Sequence, residues 1–253
     1  MIHREQHGRV ATLKLEHGKV QALDLELCAE LEQHFEAAAE WEDTDALVLT
    51  GAGSSFSAGV DLKRVLDGGP KYIESFLAAM DRAFSALFRC PKPVVAALNG
   101  HAIAGGCVLA CAADYRVMAQ GKGRIGVPEL TVGVSFPWLA LEIVRLTTPV
   151  EHLQELLYLG ETYDADQALA RGLVDEAVAA DKVAERGLAV ATKLSSMSPA
   201  AFALTKRQLR LDSLAEWKLH QASHDSLVRM QWSSPDTLER IRRYLEANVG
   251  KKG

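Results

Sequence analysis

Two short segments have residue types and spacing suited to chemistry on an oxygen atom. The first, "SSFSAGVDLK", follows the apolar run "ALVLTG"; the second, "NGHAIAGGCVLACAADYRVMA", follows "KPVVAAL". In the second, Gly105 and Gly106 fall where a helix would start. A helix N-terminus offers unpaired backbone N–H groups at its positive dipole end. Glycine leaves those donors unshielded, so a ligand oxygen can approach the backbone closely. If the two preceding strands are neighbours, N–H groups from both loops could converge on one oxygen and form an oxyanion hole. Either loop alone is read more simply as a tight turn; together they point to a site. The first loop lacks the GK[ST] of a phosphate-binding P-loop. His220 and His224 stand four apart on a predicted helix, but no neighbouring motif supplies further metal ligands, so no metal site is expected.

The elements that must position these loops follow from periodicity. "RVATLKLE" (9–16) alternates apolar and polar residues after a glycine turn, so residues 2–5 are expected to pair with it as a hairpin. Asp24 is a candidate N-cap, and Leu25, Cys28, Leu31, Phe35 and Ala38 then share a helical face. A helix is expected over about 73–88. Buried strands are expected at "ALVLTG", "KPVVAALNG" and "DYRVMA", with "SSFSAG" and "GVPEL" as loops. Thr148, Pro149 and Glu151 predict a helix start with Pro at its first position, and Asp164 caps a short helix stopped by Gly172. From about residue 181 the pattern is helical, interrupted at "SMSPA", and the final "GKKG" is expected to fray. Strands separated by crossover helices imply an α/β protein with a mostly parallel sheet.

Composition bounds the partners. The chain has 253 residues, 48% hydrophobic and 24% charged, with a formal net charge of -5. That charge gives no global attraction to nucleic acid or anionic membrane, and no apolar run approaches the length of a membrane span. Cys28, Cys90, Cys107 and Cys111 lack CxxC spacing and sit in apolar contexts, as reduced core residues of a cytoplasmic protein do.

Four blocks, "FSAGVDLK", "NGHAIAGGCVLACAADYRVMA", "GVPELTVGV" and "ADQALARGLVDEAV", resemble the crotonase (enoyl-CoA hydratase/isomerase) superfamily, in the right order from about residue 9 to 178. The resemblance implies a crotonase-like ββα spiral core, set here at 1–195, and a C-terminal helical trimerisation region, 196–253. It implies acyl-CoA thioester substrates, with coenzyme A as part of the substrate and no separate cofactor. The partner expected besides substrate is a second copy, in a homotrimer or homohexamer; the apolar tail residues Phe202, Leu204, Leu209, Leu214, Trp217, Leu227, Met230 and Trp232 suit such burial. Mapped onto this sequence, the oxyanion N–H groups are those of Val60 and Gly105, and the catalytic base is Glu129. Burial of Glu129 among Pro128 and Leu130 would raise its pKa and strengthen it as a proton acceptor. Residues expected to line the substrate are Ala22, Ala58, Gly59, Asp61, Leu62, Lys63, Gly106, Val108, Phe136 and Trp138. Lys63 and Arg64, with Lys19 a weaker choice, are candidates for the CoA phosphates.

One position departs from the family's hydratases, which carry a second glutamate three residues after the oxyanion glycine. Here "AGGCV" puts Val108 on that helical face. Adding water to a double bond is harder with one carboxylate, whereas moving a proton between C2 and C4 of a 3-enoyl thioester needs only one base. "AGGCVLACAADYRVMA" and "FPWL" also resemble the Δ3,Δ2-enoyl-CoA isomerase branch. The expected activity is therefore that isomerisation. The alternatives are a hydratase-like lyase using one glutamate, and a non-catalytic acyl-CoA-binding protein.

Overall fold

The computed structural model describes residues 1–249, with side chains through Ala247; the "GKKG" end lies outside the described residues. β1 (Ile2–His7) and β2 (Val10–Leu15) form the expected hairpin, longer by two residues on its first strand. α1 (Leu25–Ala38) is capped by Asp24, whose carboxylate accepts from the Leu27 N–H at 2.9 Å.

Three repeats of strand, strand, helix follow. They are β3 (Ala46–Gly51), β4 (Ser55–Ser57) and α2 (Leu62–Arg89); β5 (Val94–Leu98), β6 (His101–Ile103) and α3 (Gly105–Ala112); and β7 (Tyr115–Ala119), β8 (Ile125–Gly126) and α4 (Glu129–Val132). The first strand of each repeat enters one sheet, β1-β2-β3-β5-β7, which β10 (Glu176–Val178) extends, and the second enters another, β4-β6-β8, which β9 (Thr162–Tyr163) extends. The chain thus winds as a ββα spiral, with parallel pairing between successive turns in both sheets. The closing elements are α5 (Trp138–Thr147), α6 (Val150–Leu159), β9 (Thr162–Tyr163), α7 (Ala165–Ala170) and β10 (Glu176–Val178). α8 (Val183–Ser195) covers the second face of the large sheet, burying Val183, Val190 and Ala191 against Val48, Val95 and Ala97. α9 (Pro199–Leu209), α10 (Leu211–Trp232) and α11 (Pro235–Val249) complete a mixed α/β molecule with a helical C-terminal region.

The structure corrects several expected elements. "SSFSAG" contains β4, and the start of the second loop contains β6; three-residue strands are too short to show a period of two. α2 begins at Leu62, eleven residues earlier than expected, with Asp61 accepting from the Arg64 N–H. It kinks where Gly69 takes φ 59° before Pro70, since proline cannot donate to the preceding turn. Pro149 occupies the cap position of α6 rather than its first turn, and the Thr148 hydroxyl is buried without a partner. "GVPEL" is no simple loop: Glu129 opens α4, which Gly133 ends in a left-handed conformation at φ 96°.

Directly after the apolar helix α3, Asp114 anchors a buried ionic cluster. Its carboxylate accepts from the Val94 N–H (2.8 Å), Lys206 Nζ (2.7 Å) and Arg210 Nη2 (2.8 Å), tying α9 to the centre of the sheet. Arg116 pairs with Asp175 at 2.8 Å, and the Tyr115 hydroxyl donates to Glu176 at 2.7 Å. Lys206 and Arg210 are almost fully buried, so these ions are held by partners rather than by water.

Candidate active site

The two glycine loops meet. A Cβ on Gly59 would overlap the Ile103 carbonyl and stand 3.2 Å from the Gly105 nitrogen. A Cβ on Gly106 would overlap the Ser57 carbonyl, and one on Gly105 would lie 3.9 Å from Val60 Cγ2. Side chains at Gly59 and Gly106 would drive the loops apart, and one at Gly105 would strike Leu23. Neighbouring strands bring them together, since β4 pairs with β6 in parallel.

The first loop is held by the segment before α1. The Leu23 N–H donates to Gly59 O (2.8 Å) and the Asp61 N–H to Leu23 O (2.9 Å), gripping Val60 from both sides. Ser57 Oγ donates to Gln21 O (2.7 Å) and accepts from the Gly59 N–H (3.2 Å). Gln21, buried and at φ 50°, donates its side-chain amide to the carbonyls of Ala52 and Ser55. The donors around Val60 are thus spent on the scaffold.

The second loop enters α3 through Ala104, at φ 52° and ψ -124° with no side-chain cap. A non-glycine residue in the left-handed region is strained, and such strain persists where surrounding structure holds it. It aims the uncapped first turn of an eight-residue, fully buried helix at the junction of the loops.

Between the loops and α4 lies a cavity of about 90 Å³. Of the residues singled out from the sequence, Ala58, Val60, Leu62, Gly105, Val108 and Glu129 line it. Val108 faces the cavity from one turn below Gly105, so the place of a second carboxylate is apolar. Glu129 is the one carboxylate among the described lining residues. It is 8% exposed, and its Oε2 is buried with no hydrogen-bond partner. Burial pushes its pKa up to about 8, tempered by a hydrogen bond from its own backbone.

The other expected residues sit nearby with different duties. Gly59 and Gly106 make the close approaches just described. Asp61 caps α2, and Ala22 lies between the two residues that grip the first loop. Phe136 and Trp138 flank Pro137, which does line the cavity, and both pack on the core instead. Trp138 meets His220 and His224 with tilted rings, at 4.8 and 4.4 Å between ring centroids. Among the described residues no group of three or more His, Cys, Asp or Glu is placed to hold a metal ion. Arg64 is engaged by Glu26 (2.5 Å) and Asp24 (3.4 Å), whereas Lys63 and Lys19 are exposed. Trp217 and Trp232, expected among the tail residues of an assembly surface, are instead buried within the chain, and Trp232 lines the cavity together with Met80, Phe84 and Tyr244, which the sequence did not single out.

Comparison with known proteins decides the family. The family model described as enoyl-CoA hydratase/isomerase matches residues 5–248. The chain belongs to the enoyl-CoA hydratase/isomerase family. The mitochondrial enoyl-CoA delta isomerase 1 of Mus musculus is 29% identical over all of this chain and 88% of its own length. A protein of Rhizobium meliloti named "Probable enoyl-CoA hydratase" is 35% identical over 78% of this chain and 76% of its own. The crystal structure of human mitochondrial Δ3,Δ2-enoyl-CoA isomerase superposes with a TM-score of 0.95 at 25% identity, covering 100% of this chain and 99% of that one. The ββα spiral is therefore the crotonase fold, and the sequence resemblance to the isomerase branch holds in structure as well. Among the described residues of this family member, no helix is long and apolar enough to cross a membrane.

Proposed function

We propose that the protein is a Δ3,Δ2-enoyl-CoA isomerase. The observation that carries this reading is a cavity with one carboxylate, Glu129, and Val108 where a second would stand. The thioester oxygen sits between the N–H groups of Val60 and Gly105. Glu129 takes a proton from C2 of the 3-enoyl chain, and the electron pair moves into a dienolate whose charge rests on that oxygen. Two fixed donors in a dry site stabilise this charge, each worth about 3 kcal/mol of barrier. Glu129 then returns the proton to C4, leaving the 2-enoyl thioester. The apolar wall keeps water from the dienolate, which favours protonation of carbon over hydration.

The mouse and human relatives named as isomerases span the whole chain, and this supports the same reading. The Rhizobium relative keeps the hydratase alternative in view, since that activity would use the same oxyanion site. Coenzyme A enters as part of the substrate, with the exposed Lys63 and Lys19 available to its phosphates. Exposed Leu204, Leu209, Leu219, Leu227 and Met230 on α9 and α10 support assembly as a homotrimer or homohexamer. A cytoplasmic location rests on four unpaired, buried cysteines; the mouse and human isomerases are mitochondrial by name.

A label tests the single-base route. With a 3-enoyl thioester carrying deuterium at both C2 positions, a first turnover in ordinary water is expected to leave deuterium at C4 in part of the product. Hydrogen at C4 drawn wholly from solvent would contradict one buried group carrying the proton.

A further inference from the structure

The C-terminal helices contribute a wall to the active-site cavity. Trp232, at the end of α10, and Tyr244, on α11, line it together with Met80 and Phe84 of α2. Trp232 is 2% exposed, and its position is fixed at three points. Its indole N–H donates to Ser135 O at 2.9 Å. The neighbouring Gln231 donates to Gly133 O at 2.8 Å and accepts from the Ser135 N–H at 3.0 Å. Residues 133–135 continue directly from the helix that carries Glu129, so the wall is hydrogen-bonded to the segment that follows the base. Met80 and Phe84, buried like Trp232, complete the apolar wall.

Size then limits what fits. The cavity holds about 90 Å³, whereas an apolar cavity of about 150 Å³ accepts a benzene ring. On that scale only a few carbons fit beside Glu129 before they meet the packed rings of Phe84 and Trp232. Forcing extra methylenes into such a site costs in the way overpacking a core does.

We propose that this aromatic wall restricts the enzyme to short acyl thioesters, of about four to six carbons, and that Trp232 is the residue that sets the limit. The substrate class rests on the isomerase reading given above, but the size limit applies to any acyl-CoA that enters the cavity. Binding and turnover therefore test the two separately.

The experiment uses the full-length protein and two series of thioesters with four, six, eight, ten and twelve carbons. Binding of the saturated acyl-CoAs is measured by calorimetry, and turnover of the 3-enoyl series by product analysis. Both binding and kcat/KM are expected to fall at least tenfold between six and ten carbons. Trp232→Leu is expected to reduce that drop to less than threefold, and Tyr244→Leu to lessen it by a smaller amount. A profile in the unmodified protein that is flat, or that rises with chain length, would overturn the size limit whatever the variants do. A folded Trp232→Leu protein with the original profile would overturn the assignment to Trp232. Should Trp232→Leu fail to fold, an unchanged profile in Tyr244→Leu would overturn the role of the wall. Short-chain binding without turnover would refute the isomerase reading and leave the size limit standing.

Discussion

Glu129→Gln is expected to lower kcat for the double-bond shift by about 10²–10⁴-fold, the usual worth of a positioned general base, while acyl-CoA binding stays within a few-fold. The substitution keeps the shape of the side chain and removes only its capacity to accept a proton. With a pKa near 8 in the unliganded protein, Glu129 is largely protonated at pH 7. The kcat/KM of the unmodified protein should therefore climb between pH 6 and 9 and level above that. The same residue leaves a mark on stability. Its folded-state pKa is raised above the unfolded value near 4.5, so the folded chain binds the extra proton between those two values. Stability present below pH 4.5 is then lost as pH rises toward 8, by an amount on the order of a few kcal/mol. The Gln variant lacks this slope, so it should gain on the unmodified protein between pH 5 and 8 in chemical denaturation. Turnover within threefold of normal in Glu129→Gln would remove the residue from the mechanism.

Asp114→Asn should be the most destabilising conservative change outside the cavity. It leaves Lys206 and Arg210 buried, 6% exposed each, without their counter-charge. Breaking a buried ionic cluster by removing one partner costs about 3–5 kcal/mol. For a chain of this size that is a fall in Tm of roughly 6–20 °C. Because the cluster is shielded from solvent, the loss should persist at high salt. Burial already pushes the Lys206 ammonium below its usual pKa, partly offset by Asp114. A melting temperature within 2 °C of the unmodified protein would show that the cluster does not anchor α9.

What the sequence made legible divides along physical lines. Long elements with clear periods, such as α1 with its Asp24 cap and β5 with its unbroken apolar run, could be read directly. The two glycine loops were legible because residues without side chains stand out wherever backbones meet closely, and Gly59 and Gly106 do meet backbone. Strands of two or three residues, β4, β6 and β8, carry no periodic signal, although they place the loops side by side. The positive φ of Ala104 had no signature either, since such a backbone is ordinarily announced by glycine or asparagine. Met80 and Phe84 were hidden for another reason, as was the place of Trp232, which the sequence offered only as an assembly residue. An aromatic or aliphatic residue at helical spacing reads as core, and these residues are core on every side except the one facing the cavity. Glu129 became specific only through the family resemblance, because a lone glutamate beside a proline is ordinarily solvated.

The central claim is that one carboxylate and an apolar Val108 wall shift a double bond without hydrating it, and the most direct measurement is the product distribution of the unmodified protein. Purified protein is given a 3-enoyl-CoA and, separately, the 2-enoyl-CoA of the same length, with products separated by chromatography. Interconversion of the two enoyl thioesters is expected, with 3-hydroxyacyl-CoA below about a hundredth of the product. Efficient formation of 3-hydroxyacyl-CoA from the 2-enoyl substrate, with no conversion of the 3-enoyl form, would contradict it.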